Sequence, residues 1–150
     1  MSLELVELGP ATLHRLHELE RTPGEPDPWV SEVEDFILGP AAGTHIDEPA
    51  SHILLAVDGD QAVGALVHHP DENYPGAEYI SAIVVDHRKR GQGYGEQLLA
   101  AAIEHAIAAS KRPHALWAVH PNNAPMIKLS ESVGELVGVH SSGYRVFVHP

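Results

Sequence analysis

Apolar and polar positions along this chain recur with two periods, about two residues where strands are expected and about 3.6 where helices are. Leu3 to Leu8 alternates like a strand, and Ala11 to Arg21 follows with helical spacing. The breaker "RTPGEPDP" separates it from a second helical candidate, Trp29 to Leu38. A polar loop occupies about residues 40–51. His52 to Val57 and Gln61 to Val67 read as strands around the turn "DGDQ", and "HPDENYPG" leads to a third, Ala77 to Val85. These three should form an antiparallel meander. From Gly93 to Ala109, the residues Leu98, Leu99, Ala102, Ile103, Ala106 and Ile107 repeat at helical spacing, so that helix should cover one sheet face until Arg112 and Pro113 end it. Ala115 to Val119 reads as a short buried strand, Asn123 to Val133 as a helix ending near Gly134, and Glu135 to Val148 as a hairpin turning at "SSG". The order predicts an α/β class with a mixed sheet.

Length and composition narrow this picture. A chain of 150 residues with 43% hydrophobic content suits one core, so residues 1–150 are expected to form a single domain. No apolar run reaches the roughly 18 residues that a membrane span needs. The start "MSLELVELGP" has neither the basic residues nor the apolar block of a secretion signal, so a cytoplasmic location is expected. The absence of cysteine removes disulfides, thiolate metal sites and cysteine nucleophiles. A net charge of -12 argues against nucleic acid as a partner, because such binding relies on clustered cations.

The nine basic residues are unevenly placed: Arg88, Lys89 and Arg90 precede one helix, and Lys111 and Arg112 close it. The first group opens into glycines at 91, 93 and 95, which let backbone N–H groups approach a ligand at a helix start. That is the composition of an anion cradle, where the helix dipole and neighbouring arginines favour phosphate. A P-loop is excluded because Gly95 is followed by Glu96 and Gln97 rather than Lys-Ser/Thr. A dinucleotide fingerprint is excluded because Glu96 stands where its last glycine would be.

The run Arg90-Gly91-Gln92-Gly93-Tyr94-Gly95 fits R/Q-x-x-G-x-G/A, with the strand "ISAIVVD" before it and "EQLLAAAIEHA" after it. The sequence thereby resembles the GNAT superfamily of acyl-CoA-dependent N-acetyltransferases, most specifically over residues 79–134. The resemblance implies a single-domain fold whose mixed, mostly antiparallel sheet has parallel central strands that splay apart, with helices on both faces. It implies an enzyme that moves an acetyl group from acetyl-CoA to a primary amine of a small molecule or protein, by direct attack in a ternary complex. The N–H groups from Gly91 to Glu96, with Arg90 beside them, would hold the coenzyme A pyrophosphate. The strand backbone at Ile83, Val84 and Val85 would pair with the pantetheine arm, and Ile83 N–H would point to the thioester carbonyl and stabilise its oxyanion. Asn123, early in the next helix, is the second family signature.

The match departs from the common pattern N-x-x-A-x-x-L-Y-x-x-x-G-F, because Met126, Ser130 and Glu135 occupy three diagnostic positions. The tyrosine that would protonate the leaving thiolate is missing, and Ser130 is the residue in its place. A base must also take a proton from the ammonium form of the acceptor. Regular alternation groups Tyr79, Ser81, Ile83 and Val85 on one strand face and Glu78, Ile80, Ala82 and Val84 on the other, unless a bulge intervenes. The family register points to Tyr79 and Ser81. Glu78 is the stronger base but needs a bulge to face the thioester, and is otherwise an exposed carboxylate. His120, at the end of the strand before Asn123, has a suitable ordinary pKa of about 6.5.

Twelve histidines raise the question of a metal. His68, His69, His87, His140 and His149 lie on different elements without a helical H-x-x-x-H pair, so no metal site is expected. The serines lack the G-x-S-x-G elbow of hydrolases. An acyl-CoA-binding or sensing module with impaired catalysis stands as the alternative function, with a purely structural domain behind it. The resemblance implies that residues 11–50 and "HHPDENYPG" border the acceptor cleft; their acidic residues, including Glu18, Glu20, Glu25, Asp27, Glu32, Glu34, Asp35, Asp47, Glu48, Asp71 and Glu72, would attract a cationic acceptor or serve solubility alone. The acceptor's identity and whether the chain acts as a homodimer stay open at this level.

Overall fold

Seven strands join edge to edge into one mixed sheet in the computed structural model, which describes residues 3–39, 50–71 and 73–150. They are β1 (Leu3–Leu8), β2 (His52–Asp58), β3 (Gln61–Pro70), β4 (Ala77–Val85), β5 (His114–Val119), β6 (Glu135–Val139) and β7 (Arg145–His149), in the spatial order β1-β2-β3-β4-β5-β7-β6. The β4–β5 pair is parallel, and every other pair is antiparallel. The expected meander is present, and β1 extends it by one strand. The helices are α1 (Pro28–Leu38), α2 (Tyr94–Ser110) and α3 (Ala124–Val133). Most of the expected polar loop at 40–51 lies outside the described residues, as do Asp47, Glu48 and Glu72.

Both sheet faces are covered. α2 lays Leu98, Leu99, Ala102, Ile103 and Ala106 against Leu54, Leu66 and Ile80, with Trp117 and Phe147 closing the same core. Burying each such leucine stabilises the fold by about 1.5–3 kcal/mol. On the other face, Ile37 of α1 joins Leu16, Leu19, Ile53, Leu55 and Val67. The helix expected over Ala11 to Arg21 is instead a 3-10 turn, Leu13–Glu18. Its buried residues explain the difference, because Leu16 and Leu19 are three apart and fit a repeat of three residues per turn.

β4 carries the detail that shapes the site. The β3–β4 register slips so that Val67 faces Ala82 while His68 faces Ile80, which leaves Ser81 as an extra residue on β4. The bulge reverses the alternation. Ile80, Ile83 and Val85 all pack on the α2 side, whereas Ala82 and Val84 pack on the α1 side. The regular grouping of Tyr79 and Ser81 with Ile83 and Val85 is therefore corrected. Tyr79 lies with Leu116 and Val148, away from the α2 core.

Candidate functional site

The parallel pairing of β4 with β5 runs only from Ala77–His114 to Ile80–Trp117, and beyond it the strands part. A cleft of about 490 Å³ opens in that fork. Its floor is β4 from Tyr79 to Val85, its far wall is Trp117 to Val119 of β5 with His120 just beyond, and Asn123, Met126 and Leu129 of the α3 segment border it. The strand stretch Ile83, Val84 and Val85 thus lies along the cleft, as the resemblance implies.

One end of the cleft meets the glycine loop. Gly91 and Gly93 have φ of 77° and 86°, a left-handed conformation that glycine adopts without the steric penalty of a side chain. Gly93 caps α2, whose first backbone bond runs from Gln97 N–H to the Gly93 carbonyl, so the N–H groups of Tyr94, Gly95 and Glu96 stand outside the ladder. A Cβ placed on Gly91, Gly93 or Gly95 would meet open space. This is a cradle of bare backbone donors.

The loop's side chains behave differently from expectation. Arg88 turns away to bind Asp86, at 2.7 Å, and the Glu18 carbonyl. Burial works to raise the Asp86 carboxyl, but hydrogen bonds from the Arg88 side chain and from the Glu20 and Arg88 N–H groups outweigh it and hold it at about 2. Lys89 reaches Gln61. Arg90 borders the cleft but donates to Thr22 and to the buried Glu34 carboxylate, at 2.7 and 3.2 Å. Gln92 folds back on the Arg88 carbonyl, and Glu96 lies on the first turn of α2. The Tyr94 phenol donates to Asp58 at 2.7 Å, and that bond followed by burial pushes its pKa up. What the loop offers is accordingly main-chain donors rather than free cations.

Two catalytic candidates do not reach the cleft. Ser130 is fully buried and accepts a hydrogen bond from Trp117 Nε1 at 2.8 Å. Glu78 is neither exposed nor in the cleft. It is buried beneath α2, where its carboxylate meets His68 Nδ1 at 2.5 Å. The bulge exists, but it lies beyond Glu78, and the covering helix decides the matter.

Three candidates do border the cleft. Tyr79 is held up by burial and then by Asp71 and Tyr144, so its phenol keeps its proton. Ser81 donates to the Val67 carbonyl at 3.3 Å. His120 accepts the Asn122 N–H on Nδ1 at 3.0 Å, which leaves Nε2 as the protonated nitrogen of the neutral ring. His120 also stacks on Trp29, with centroids 5.1 Å apart, and meets the edge of Tyr144 at the same separation. Asn123 caps α3 through a 3.4 Å bond from Met126 N–H.

The structure adds two residues that sequence reading did not single out. Trp29 of α1 presents a buried indole N–H with no partner among the described residues. Tyr144, in the hairpin between β6 and β7, puts a phenol into the cleft, with its pKa raised by burial and then by Glu32. The only sequence sign of Tyr144 was its place directly after the turn glycine of "SSGY". Together Trp29, His120, Tyr144 and Tyr79 form an aromatic mouth with Glu32 and Asp71 near its two phenols.

Solved structures share this architecture. An acetyltransferase from Thermus thermophilus superposes with a TM-score of 0.72 at 18% identity, covering 100% of this chain and 97% of that one. A putative streptothricin acetyltransferase from Bacillus anthracis, in complex with acetyl coenzyme A, gives 0.69 at 20% identity over 99% and 96%. A chimera of spermidine N-acetyltransferase from Vibrio cholerae and hSSAT gives 0.70 at 16% identity over 99% and 95%. No curated protein matches the sequence. The family model described as Acetyltransferase (GNAT) family matches residues 11–134, a span that holds the forked strands, the glycine loop and Asn123, and the chain belongs to that family.

Proposed function

We propose that the protein transfers an acetyl group from acetyl-CoA to a primary amine, and that the amine is carried on a cationic acceptor. The observation that carries this reading is the fork between β4 and β5, closed at one end by the N–H cradle at the start of α2. An extended acyl-pantetheine fits such a fork as an added strand, and a pyrophosphate fits the cradle. The similar B. anthracis structure holds acetyl coenzyme A.

In this mechanism the pyrophosphate takes the N–H groups between Gly91 and Glu96, and Ile83 N–H polarises the thioester carbonyl. The amine nitrogen attacks the carbonyl carbon, the negative charge passes to the oxygen, and the oxyanion is held by that N–H. Collapse reforms the carbonyl, breaks the C–S bond and releases the thiolate. The acceptor ammonium loses one proton before attack, the nitrogen loses a second as the amide forms, and sulfur takes up one, so that one proton passes to solvent overall. Tyr144, whose raised pKa keeps its proton, is the donor we assign to the thiolate in place of the absent helix tyrosine. His120 is a poor base in the neutral form described, because its acceptor nitrogen already binds Asn122 N–H. The ammonium proton therefore passes to water held near Tyr79, Ser81 and His120.

The mouth favours a cationic acceptor. Glu32 and Asp71 supply negative charge, and the Trp29 face offers cation–π attraction of about 0.5–2 kcal/mol. The acidic rim is less bare than its composition suggests, since Glu18 pairs with Arg15, Glu20 with Arg88 and Asp35 with Arg21. Spermidine and streptothricin, named for two similar structures, are both cationic amines and are the first acceptors to try.

The test is thiol release from acetyl-CoA across a panel of polyamines, aminoglycosides and lysine peptides. Turnover with at least one cationic amine, exceeding that with neutral amines, is the expected result. Tight acetyl-CoA binding by thermal shift without thiol release for any amine would instead favour a sensing module.

A further inference from the structure

On the sheet face away from the acceptor mouth, a row of polar side chains runs from the buried Glu78 and His68 beneath α2 out to the partly buried His52 and the exposed Glu7. Glu7 of β1, His52 of β2, His68 of β3 and Glu78 of β4 stand side by side across four neighbouring strands, and His105 reaches down from α2. Glu7 holds His52 Nδ1, and Glu78 holds His68 Nδ1 at 2.5 Å. His68 Nε2 and His105 Nδ1 are 2.9 Å apart. His52, His68 and Glu78 each offer a ligand atom within 4.8 Å of the others, and the His105 ring lies edge-on to His52 with centroids 6.1 Å apart.

We propose that His52, His68 and His105 form a binding site for a zinc-type divalent ion, with Glu7 and Glu78 orienting two of the three rings. A metal-binding imidazole characteristically gives its second nitrogen to a carboxylate, and here two of the three do so. The ligand atoms would be His52 Nε2, His68 Nε2 and His105 Nδ1, the last two giving up the hydrogen bond they share, and its proton, to the ion. Nitrogen donors without thiolate suit Zn²⁺, Co²⁺ or Ni²⁺ rather than Ca²⁺ or Mg²⁺.

Charge supports the assignment. Glu78 is 1% exposed, and its Oε1 has no hydrogen-bond partner among the described residues but forms a 3.9 Å ion pair with the Arg112 guanidinium. A dication behind His68 would add to Arg112 in balancing this buried carboxylate.

The cluster is close to binding geometry without having reached it. Two nitrogens on one tetrahedral zinc lie about 3.3 Å apart, given Zn–N bonds of about 2.0–2.1 Å. The His68–His105 pair must therefore open by a few tenths of an ångström. The His52 and His68 rings are stacked, 4.6 Å between centroids at 23°, so one of them must turn to bring both lone pairs onto one ion. His52 is only partly buried and lies on the more open side, so it is the ring we assign to turn. A bound ion would tie β2 and β3 to α2 directly beneath the coenzyme strand.

The experiment is equilibrium dialysis of untagged, chelator-stripped protein against Zn²⁺, with bound zinc measured per chain, repeated with Co²⁺ for its visible spectrum. One ion per chain and a four-coordinate cobalt spectrum are expected. His105→Ala and His52→Gln should each weaken zinc binding by more than about a hundredfold, and Glu7→Gln by roughly ten- to a hundredfold. His140→Ala, in the exposed hairpin, should leave it unchanged. Retained acetyl-CoA binding checks the fold of each variant, and if His105→Ala does not fold, His52→Gln and Glu7→Gln still decide the question. Absence of stoichiometric zinc, or zinc binding that survives both His52→Gln and Glu7→Gln, overturns the proposal and leaves the cluster a hydrogen-bonded part of the core.

Discussion

The indole N–H of Trp117 donates to the Ser130 hydroxyl across 2.8 Å, with both groups sealed between α3 and the sheet. Ser130 occupies the sequence position of the expected tyrosine acid, yet its oxygen is committed to the core. Ser130→Ala is therefore a stability variant. It strands a buried N–H at a cost of about 1–3 kcal/mol, while turnover at saturating substrate stays within a few-fold of the parent. Urea unfolding and thiol release on the same preparation separate the two effects. A loss of turnover beyond tenfold with unchanged stability would return Ser130 to the reaction.

Coenzyme binding is best challenged at Gly95. A Cβ there meets nothing in the protein and, unlike Gly93 with its φ of 86°, Gly95 does not have a left-handed conformation that a side chain would strain. Valine also has a better helix propensity than glycine, so Gly95→Val should fold normally. Its methyl groups would occupy the pyrophosphate cradle and weaken acetyl-CoA binding by at least about a hundredfold, on the order of 2.7 kcal/mol. Calorimetric titration reads this directly, and unchanged affinity in a folded Gly95→Val protein would displace the site. Gly93→Val is a poorer probe, because it adds backbone strain of about 1–3 kcal/mol to the steric block.

Asp86 anchors the turn that delivers the glycine loop, and it supplies a pH signature. Its carboxyl sits at about 2 in the fold, below the ordinary value of 3.8. A carboxyl depressed on folding contributes stability that is fully present above its unfolded value and is lost as pH falls toward its folded one. The parent should therefore exceed Asp86→Asn in melting temperature at pH 7, and the gap should close between about pH 4 and 2. A gap that persists unchanged through that range would mean that the Arg88 and backbone contacts do not depend on the charge.

What the sequence made legible follows from how local each determinant is. The glycine loop is a contiguous run whose glycines, helix start and preceding strand all lie within about fifteen residues, so its place at the start of α2 could be read from the sequence alone. The orientation of Ser130 depends on how α3 is rolled against the sheet. That helix is apolar on two sides, with Ile127 in the core and Met126 and Leu129 at the cleft, and the pattern did not say which side Ser130 joins. Arg90 looked like a phosphate ligand because nothing local revealed that Glu34, fifty-six positions away, would claim it. The histidines were harder still. His52 and His68 meet because β2 and β3 are hairpin partners, and His105 joins them only through the packing of α2, so no short motif spacing exists to find.

Proton transfer separates the cleft residues most sharply. Tyr144 keeps its phenolic proton because burial, then Glu32, raises its pKa, so as the thiolate's acid it should work equally well at every pH below its ordinary value of about 10. Tyr144→Phe removes the proton but keeps the ring against His120. Turnover should fall by roughly ten- to a hundredfold, at the low end of general acid effects because a thiolate leaves readily, and the ratio to the parent should not vary between about pH 6.5 and 9. A base behaves in the opposite way: its loss matters less as pH rises and more of the amine is already neutral. With Nδ1 of His120 occupied by the Asn122 N–H, His120→Ala should cost less than about tenfold and act mainly on the KM of a cationic acceptor, through the lost support of Trp29. Tyr79→Phe should likewise lack a loss that fades with pH, since its phenol stays protonated. Steady-state thiol release for the three variants across that pH range decides among these roles. A loss in His120→Ala that fades as pH rises would identify His120 as the base, with Nδ1 freed in the ternary complex. A pH-independent loss confined to Tyr144→Phe would leave the phenol as the acid and water as the proton acceptor.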